Sequence, residues 1–363
     1  MAERKMVQSM KTFRQFFEEQ ESDLKVSLIN QISSLDETDP NTVKIIRSIE
    51  QFLSDQQVGG RLAAYNKRLG DIADDDLNKT VINLLAKKIA SLDLQPDERT
   101  FLFDSWSNDT LLNVDKLNTP GLYTSGDLYN GYNEHEGIRE LIDDLLVVDQ
   151  YGQGKGEFAL VVTSKQLSPA SKGDVDYKGV GMLEVKTTHG GAPRFEDDDT
   201  QRALEQSGYN QIRDTFVKTY KNEIISLGLP VPPKTGYNLK QISDIYNTVQ
   251  DKKTFVVELT KIGEALFPGK SKPIIDAIIS GDLNSAKGHY ANANVQHYLD
   301  LKRDLENLAA VVQIDLRRSP ATFVVYRNVA DLQKVGAYLH SGTAYMVGFV
   351  KRSYYPQIQV KVK

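Results

Sequence analysis

Glu184 and Lys186 stand one residue apart, on either side of Val185, in the run Gly-Met-Leu-Glu-Val-Lys-Thr-Thr. Side chains alternate between faces in an extended strand, so the carboxylate and the amine point the same way and Val185 points to the opposite, apolar side. Asp174 lies ten residues before Glu184 and follows Gly173. A hairpin turn at Lys178-Gly179 or Gly181 would set those two carboxylates side by side. Glu157 follows Gly154-Lys155-Gly156 and offers a third carboxylate on a helix that begins near Gly156. Two or three carboxylate oxygens at one point are the donor set for Mg²⁺, with Mn²⁺ as its substitute. A lysine beside them can hold or deprotonate a water while the metal polarises a phosphate. Asp176 shares a strand face with Asp174 and can replace it as ligand; the glycine before Asp174 permits a tighter approach and favours Asp174.

This order of residues resembles the PD-(D/E)XK nuclease superfamily, to which many restriction endonucleases belong. Its pattern is an acidic residue on a helix, an Asp that starts a hairpin, then Glu-x-Lys on the next strand. Glu157, Asp174, Glu184 and Lys186 occur here in that order. The following Thr187-Thr188-His189-Gly190-Gly191-Ala192-Pro193-Arg194 is similar to stretches found after the same motif in some tailed-phage proteins. Gly173 departs from the Pro of the superfamily's name. The resemblance spans residues 136–215. It implies a mixed α/β fold with a PD-(D/E)XK nuclease-like core and a Mg²⁺- or Mn²⁺-dependent DNA endonuclease, phage-encoded or restriction-like. The catalytic set would be Glu157, Asp174, Glu184 and Lys186, with Asp174, Glu184 and Glu157 on the metal. Arg194, His189 and Lys155 would contact DNA.

Each of these residues also has a plainer reading. Glu184 and Lys186 can form an exposed ion pair, worth little. Asp174 suits a turn, and Arg194 suits a solvated loop. Only their joint placement argues for chemistry. Other constellations fall away. His135-Glu136 begins a zinc-protease pattern, but position 139 is Arg. The histidines at 135, 189, 289, 297 and 340 are scattered. Gly263 to Ser271 imitates a phosphate-binding loop, yet five residues separate its first two glycines and they include Glu, Leu, Phe and Pro, a poor anion nest.

The elements that must carry the site follow from periodicity. Met6, Met10, Phe13 and Phe17 mark one helical face, and residues 1–95 read as a helical arm or bundle for packing or assembly. Residues 96–135, rich in Asn, Asp, Gly and Tyr, read as a connection that crosses a surface. Residues 136–235, which the resemblance would make the nuclease-like core, read as a helix at Ile138, Leu141, Ile142 and Leu145, two short strands over 173–188, and helix again over 200–226. Residues 236–310 read as a mostly helical insertion, and 311–363 as C-terminal strands with a basic tail. Within that end, ATFVVYR, AYMVGFVKR and QIQVKVK read as three strands, with a helix at ADLQKVGAYL between the first two. Lysines and arginines interleaved with Tyr345, Tyr354 and Tyr355 suit phosphate contact and base stacking, or an edge strand guarded by lysine.

Composition sets the outer bounds. The 363 residues are 40% hydrophobic and 26% charged, which excludes a disordered or collagen-like chain. A net charge of −5 excludes a uniformly basic nucleic-acid coat, so any DNA surface is a local patch. With no cysteine, disulfides, thiolate nucleophiles and Cys-ligated metals are excluded together. No apolar run is long enough to span a membrane or serve as a signal peptide, and the host cytoplasm or a virus particle is the expected setting. The competing function is a catalytically silent DNA-binding or virion assembly protein, with the N-terminal helices available to a partner or a second copy.

Overall fold

The computed structural model describes residues 94–148, 154–170, 174–188, 191–350 and 353–362. The helical arm expected over residues 1–95 lies outside these, apart from Leu94 and Gln95, which precede the first helix.

In chain order the elements are α1 (Pro96–Ser107), a 3-10 turn (Val114–Asn118), β1 (Gly121–Thr124), α2 (Ser125–Leu128), α3 (Glu136–Leu146), α4 (Glu157–Thr163), β2 (Leu167–Pro169), β3 (Val175–Tyr177) and β4 (Gly181–Thr188). There follow α5 (Asp198–Gln206), α6 (Tyr209–Thr219), α7 (Lys221–Ser226), β5 (Gly236–Asn238), α8 (Leu239–Thr248), α9 (Lys252–Leu266), α10 (Lys272–Ile279) and α11 (Leu283–Glu306). The described chain closes with β6 (Leu308–Asp315), β7 (Thr322–Tyr326), α12 (Val329–Lys334), β8 (Ala337–Ser341), β9 (Tyr345–Gly348) and β10 (Ile358–Val362). The fold is thus mixed α/β.

Three expectations need correction. Residues 96–135 are not a bare connection: they hold α1, β1 and α2, and Leu102, Trp106, Leu111, Leu112, Leu117, Leu128 and Tyr129 are all buried. The polar text there serves caps and turns around these apolar anchors. Glu98, for example, accepts the Gly137 amide at 2.9 Å and the Gln95 amide at 2.9 Å, tying the start of α1 to the start of α3. The second correction is that the helix expected over ADLQKVGAYL stops at Lys334, and β8 takes its second half. Gly336, at φ +71°, supplies the left-handed turn that ends the helix. The third is an added strand, β6, which the periodicity reading assigned to no element; its run Leu-Ala-Ala-Val-Val-Gln-Ile lacks alternation because a parallel strand is covered on both faces.

The chain divides into two compact units. Of the described residues, the first takes in 94–117, 123–148, 154–170, 174–180 and 318–322. In it β2 and β3 pair antiparallel, with Leu167 opposite Tyr177 and Ser168 opposite Asp176. The apolar face of α3, Ile138, Leu141, Ile142 and Leu145, is fully buried, as its spacing predicts.

The second unit takes in residues 118–122, 181–317 and 323 onward. Its spine is the parallel pair β4–β6, with β7 on the far side of β6. Glu184 is in register with Val311 and Lys186 with Gln313. Both strands start at one point: Met182 donates its amide to the Asn307 carbonyl at 3.1 Å. Asn307 is left-handed, at φ 54°, and turns the chain from α11 into β6. The main core of this unit lies among α6–α11, around Phe216, Phe255, Leu259, Ile262, Phe267 and Tyr290.

Candidate active site

β4 is a strand because its residues are apolar or β-branched around the charged pair, and because β6 pairs with it from Met182 to Thr188, with one irregularity between Met182 and Leu183. Strand alternation then puts Glu184 and Lys186 on one face, and their side chains meet there. Lys186 Nζ donates to Glu184 Oε1. Glu184 is only 3% exposed, so this is not the solvated surface pair of the plainer reading.

A third group closes on the same oxygen. The Tyr298 hydroxyl, from α11, also donates to Glu184 Oε1. The other carboxylate oxygen, Oε2, is buried with no hydrogen-bond partner among the described residues. The carboxylate is therefore asymmetric: one oxygen carries two donors and the other none. An unpaired buried anionic oxygen is costly unless something cationic or protic meets it.

The tyrosine ring is itself framed by charge. Lys186 Nζ lies 5.4 Å from its centroid and Lys302 Nζ lies 5.6 Å from it, both within cation–π range. Phe195 packs edge-on against it at 5.6 Å. Tyr298 and Lys302 are one helical turn apart on the buried face of α11, which also carries Tyr290 and Asn294.

Lys302 is held in turn by Asp197 Oδ2 at 2.8 Å and Glu306 Oε1 at 2.9 Å. Burial alone would lower its pKa, but Asp197, Glu184 and Glu306 outweigh this and raise it, so the ammonium is permanent. Asp197 is half-buried, which pushes its carboxyl up, yet the Lys302 ammonium and the Thr200 amide hold it below the usual range. Asp197 is the N-cap of α5: it accepts the Thr200 amide at 2.8 Å. On the strand side, Tyr326 donates its hydroxyl to Gln313 Oε1 at 3.2 Å. Burial and then the Glu184 charge push the Tyr326 pKa up, keeping it a neutral donor.

Glu184 and Lys186 are thus the sequence-predicted pair that the structure brings together. Asp174, Asp176, Glu157 and Lys155 belong to the first unit. Glu157 opens α4 as expected and is buried; its Oε1 accepts the Gly154 amide at 2.7 Å. A Cβ on Gly154 would fall 2.4 Å from that oxygen, so the carboxylate occupies the space a side chain would need. Lys155 is half-buried in the turn before α4. Asp174 is half-buried just before β3, and its carbonyl accepts the Ala170 amide at 3.3 Å. Asp176 is exposed, on the strand face opposite the buried Val175 and Tyr177. The turn between β3 and β4 closes with the Val180 amide on the Tyr177 carbonyl at 2.9 Å, and Gly179 takes the left-handed position.

Arg194 is engaged within the second unit: its guanidinium donates to the Tyr355 carbonyl, and the Pro193 carbonyl accepts the Ile358 amide at 2.9 Å. His189 lies outside the described residues. Two of the three tail tyrosines are core groups and not a stacking platform, since Tyr355 is fully buried and Tyr354 is 8% exposed, while Tyr345 is half-buried. In the loop that imitates a phosphate cradle, Glu264 accepts the Gly269 amide at 2.6 Å and the Ser271 hydroxyl, so the donors are spent on the chain's own carboxylate.

Tyr298, Lys302, Gln313 and Tyr326 were not singled out from the sequence. Tyr298 stands 114 positions from Glu184, and no local pattern links them. The spacing of Tyr290, Asn294, Tyr298 and Lys302 along one helical face was the only available signal. Among the described residues, no group of three or more His, Asp or Glu side chains is gathered to hold a metal ion, and no helix is long and apolar enough to cross a membrane. Comparison with protein-family models, curated proteins and solved structures finds no match to the chain.

Proposed function

We propose that the protein is a Mg²⁺- or Mn²⁺-dependent DNA endonuclease with a PD-(D/E)XK nuclease-like core, phage-encoded or restriction-like. The observation that carries this reading is the buried Glu184 carboxylate, with one unpartnered oxygen and Lys186 on the other. The order of elements supports it: a helix opening on Glu157, Asp174 before β3, then Glu-x-Lys on β4.

The unpartnered Glu184 oxygen suits a hard divalent cation. When bound, such an ion would supply charge neutralisation at a phosphate. The chain's own groups do the rest. Lys186 keeps its ammonium at the Glu184 carboxylate, where it can donate a hydrogen bond to a water and fix its line of attack on phosphorus. Tyr298 and Phe195 wall the interior side against bulk water, which strengthens each charge interaction there. Lys155, His189 and Arg194 remain the candidate DNA contacts that the resemblance implies, through phosphate.

The test is nicking of supercoiled plasmid under Mg²⁺ and Mn²⁺ titration, wild type beside Lys186→Ala and Asp174→Asn. Metal-dependent cleavage lost in both variants supports the reading. One observation favours a second reading, a catalytically silent DNA-binding or virion assembly protein: Glu184 Oε1 is already satisfied by two internal donors, as in a structural ion pair. Wild type that retards DNA in a gel yet cuts it with neither metal selects that second reading.

A further inference from the structure

We infer that Tyr298 is a positioning residue that fixes which oxygen of Glu184 a cation meets, so that Glu184 ligates through Oε2 alone. The inference rests on the metal-dependent reading above and deepens it. A carboxylate free to turn about its last torsion presents either oxygen, or both, to an ion. Glu184 has no such freedom. Lys186 and Tyr298 both donate to Oε1, from the strand and from the facing helix respectively. Two donors on one oxygen, one from the strand and one from a helix, hold the group and leave Oε2 buried with no hydrogen-bond partner among the described residues.

The tyrosine is pinned as firmly as the carboxylate it holds. It is 1% exposed, packs edge-on against Phe195, and has an ammonium near its ring at 5.4 Å and another at 5.6 Å. Its place on α11 comes from a 24-residue helix whose buried face runs through Tyr290, Asn294, Tyr298 and Lys302. Lys302 is locked by Asp197 and Glu306, so the helix cannot rotate this face away without breaking a buried ion cluster. The hydroxyl is thus a fixed donor. It needs no reorganisation when a cation arrives, and it keeps Oε1 from turning to become a second, competing ligand atom.

Tyr298→Phe removes one oxygen and little else. Tyr290→Phe is the control: Tyr290 lies two turns earlier on the same helix, is fully buried, and donates its hydroxyl to the Tyr354 carbonyl at 2.8 Å. The experiment measures Mn²⁺ binding to the full chain without DNA, by calorimetry, together with melting curves and plasmid nicking across a Mn²⁺ titration. The expected result is about tenfold weaker Mn²⁺ binding in Tyr298→Phe, about 1.4 kcal/mol. Half-maximal nicking should need correspondingly more metal, with the rate largely recovered at saturation. Tyr290→Phe should match wild type in metal affinity whatever its melting temperature. Wild-type binding and cleavage with Tyr298→Phe unchanged in Mn²⁺ affinity overturns the positioning role and leaves the nuclease reading standing. Wild type that binds no Mn²⁺ and cuts no DNA overturns both. Mn²⁺ binding without cleavage, weakened in Tyr298→Phe alone, supports the positioning role while the endonuclease reading falls.

Discussion

At the scale of single residues, the central feature is a buried carboxylate held by a lysine and a tyrosine. Removing the lysine therefore does two things. Lys186→Ala is expected to abolish nicking, and it also withdraws a charged hydrogen bond from a group 3% exposed, at a cost of about 1–3 kcal/mol. Urea denaturation of the variant checks the second effect separately from the first. A larger cost is expected at Lys302, whose side chain is 8% exposed and answers both Asp197 and Glu306. Lys302→Met leaves two carboxylates without their cation and should lose about 3–5 kcal/mol at neutral pH. The sign of its pH dependence follows from Asp197, whose folded pKa lies below its unfolded value. The stability contributed by that carboxylate is complete above about pH 4 and is lost as pH falls through the lowered folded pKa. The gap between wild type and Lys302→Met in urea midpoint should accordingly be full at pH 7 and shrink below about pH 4. A gap that widened in acid would contradict the pairing.

At the scale of elements, the start of β4 is tightly constrained. Gly181 sits at φ +140°, and a Cβ there would fall 2.5 Å from the Asn307 carbonyl oxygen. That carbonyl is the acceptor that aligns β4 with β6. Gly181→Ala should destabilise the fold by at least about 1 kcal/mol and disturb the strand that bears Glu184, which a melting curve and Mn²⁺ binding would report together. How legible such elements were depends on the range of their causes. The helices at Ile138–Leu145 and over 200–226 were readable because a 3.6-residue period is local. The Glu184–Lys186 alignment was readable because strand alternation is local too. β6 was not, because a parallel strand covered on both faces loses its alternation. Tyr298 was not, because its reason for being where it is lies 114 positions away. The tail tyrosines misled for a related cause: Tyr354 and Tyr355 look like a stacking surface beside lysines, and only tertiary packing reveals them as core.

At the scale of the whole molecule, the buried apolar anchors of residues 96–135 change what a protease should see. The chain's single tryptophan, Trp106, is 3% exposed within that segment. Its emission should be blue-shifted in the native protein, and limited chymotrypsin digestion should spare 96–135 for as long as that emission persists. Early cleavage there with unchanged emission would contradict the packing. The parallel pairing of β4 with β6 carries a consequence of another kind, one of time. Residues 189–307 lie between the two strands, so closing that ladder means closing a very long loop, and nothing local can reward the closure in advance. Local helices form within microseconds, whereas pairings of such sequence separation come late in folding. Glu184, Lys186 and Tyr298 meet only when that closure is made. A chain emerging from a ribosome would thus have every helix up to α10 in hand before it possessed the cluster, and refolding followed by Mn²⁺ uptake should lag behind the return of helical signal.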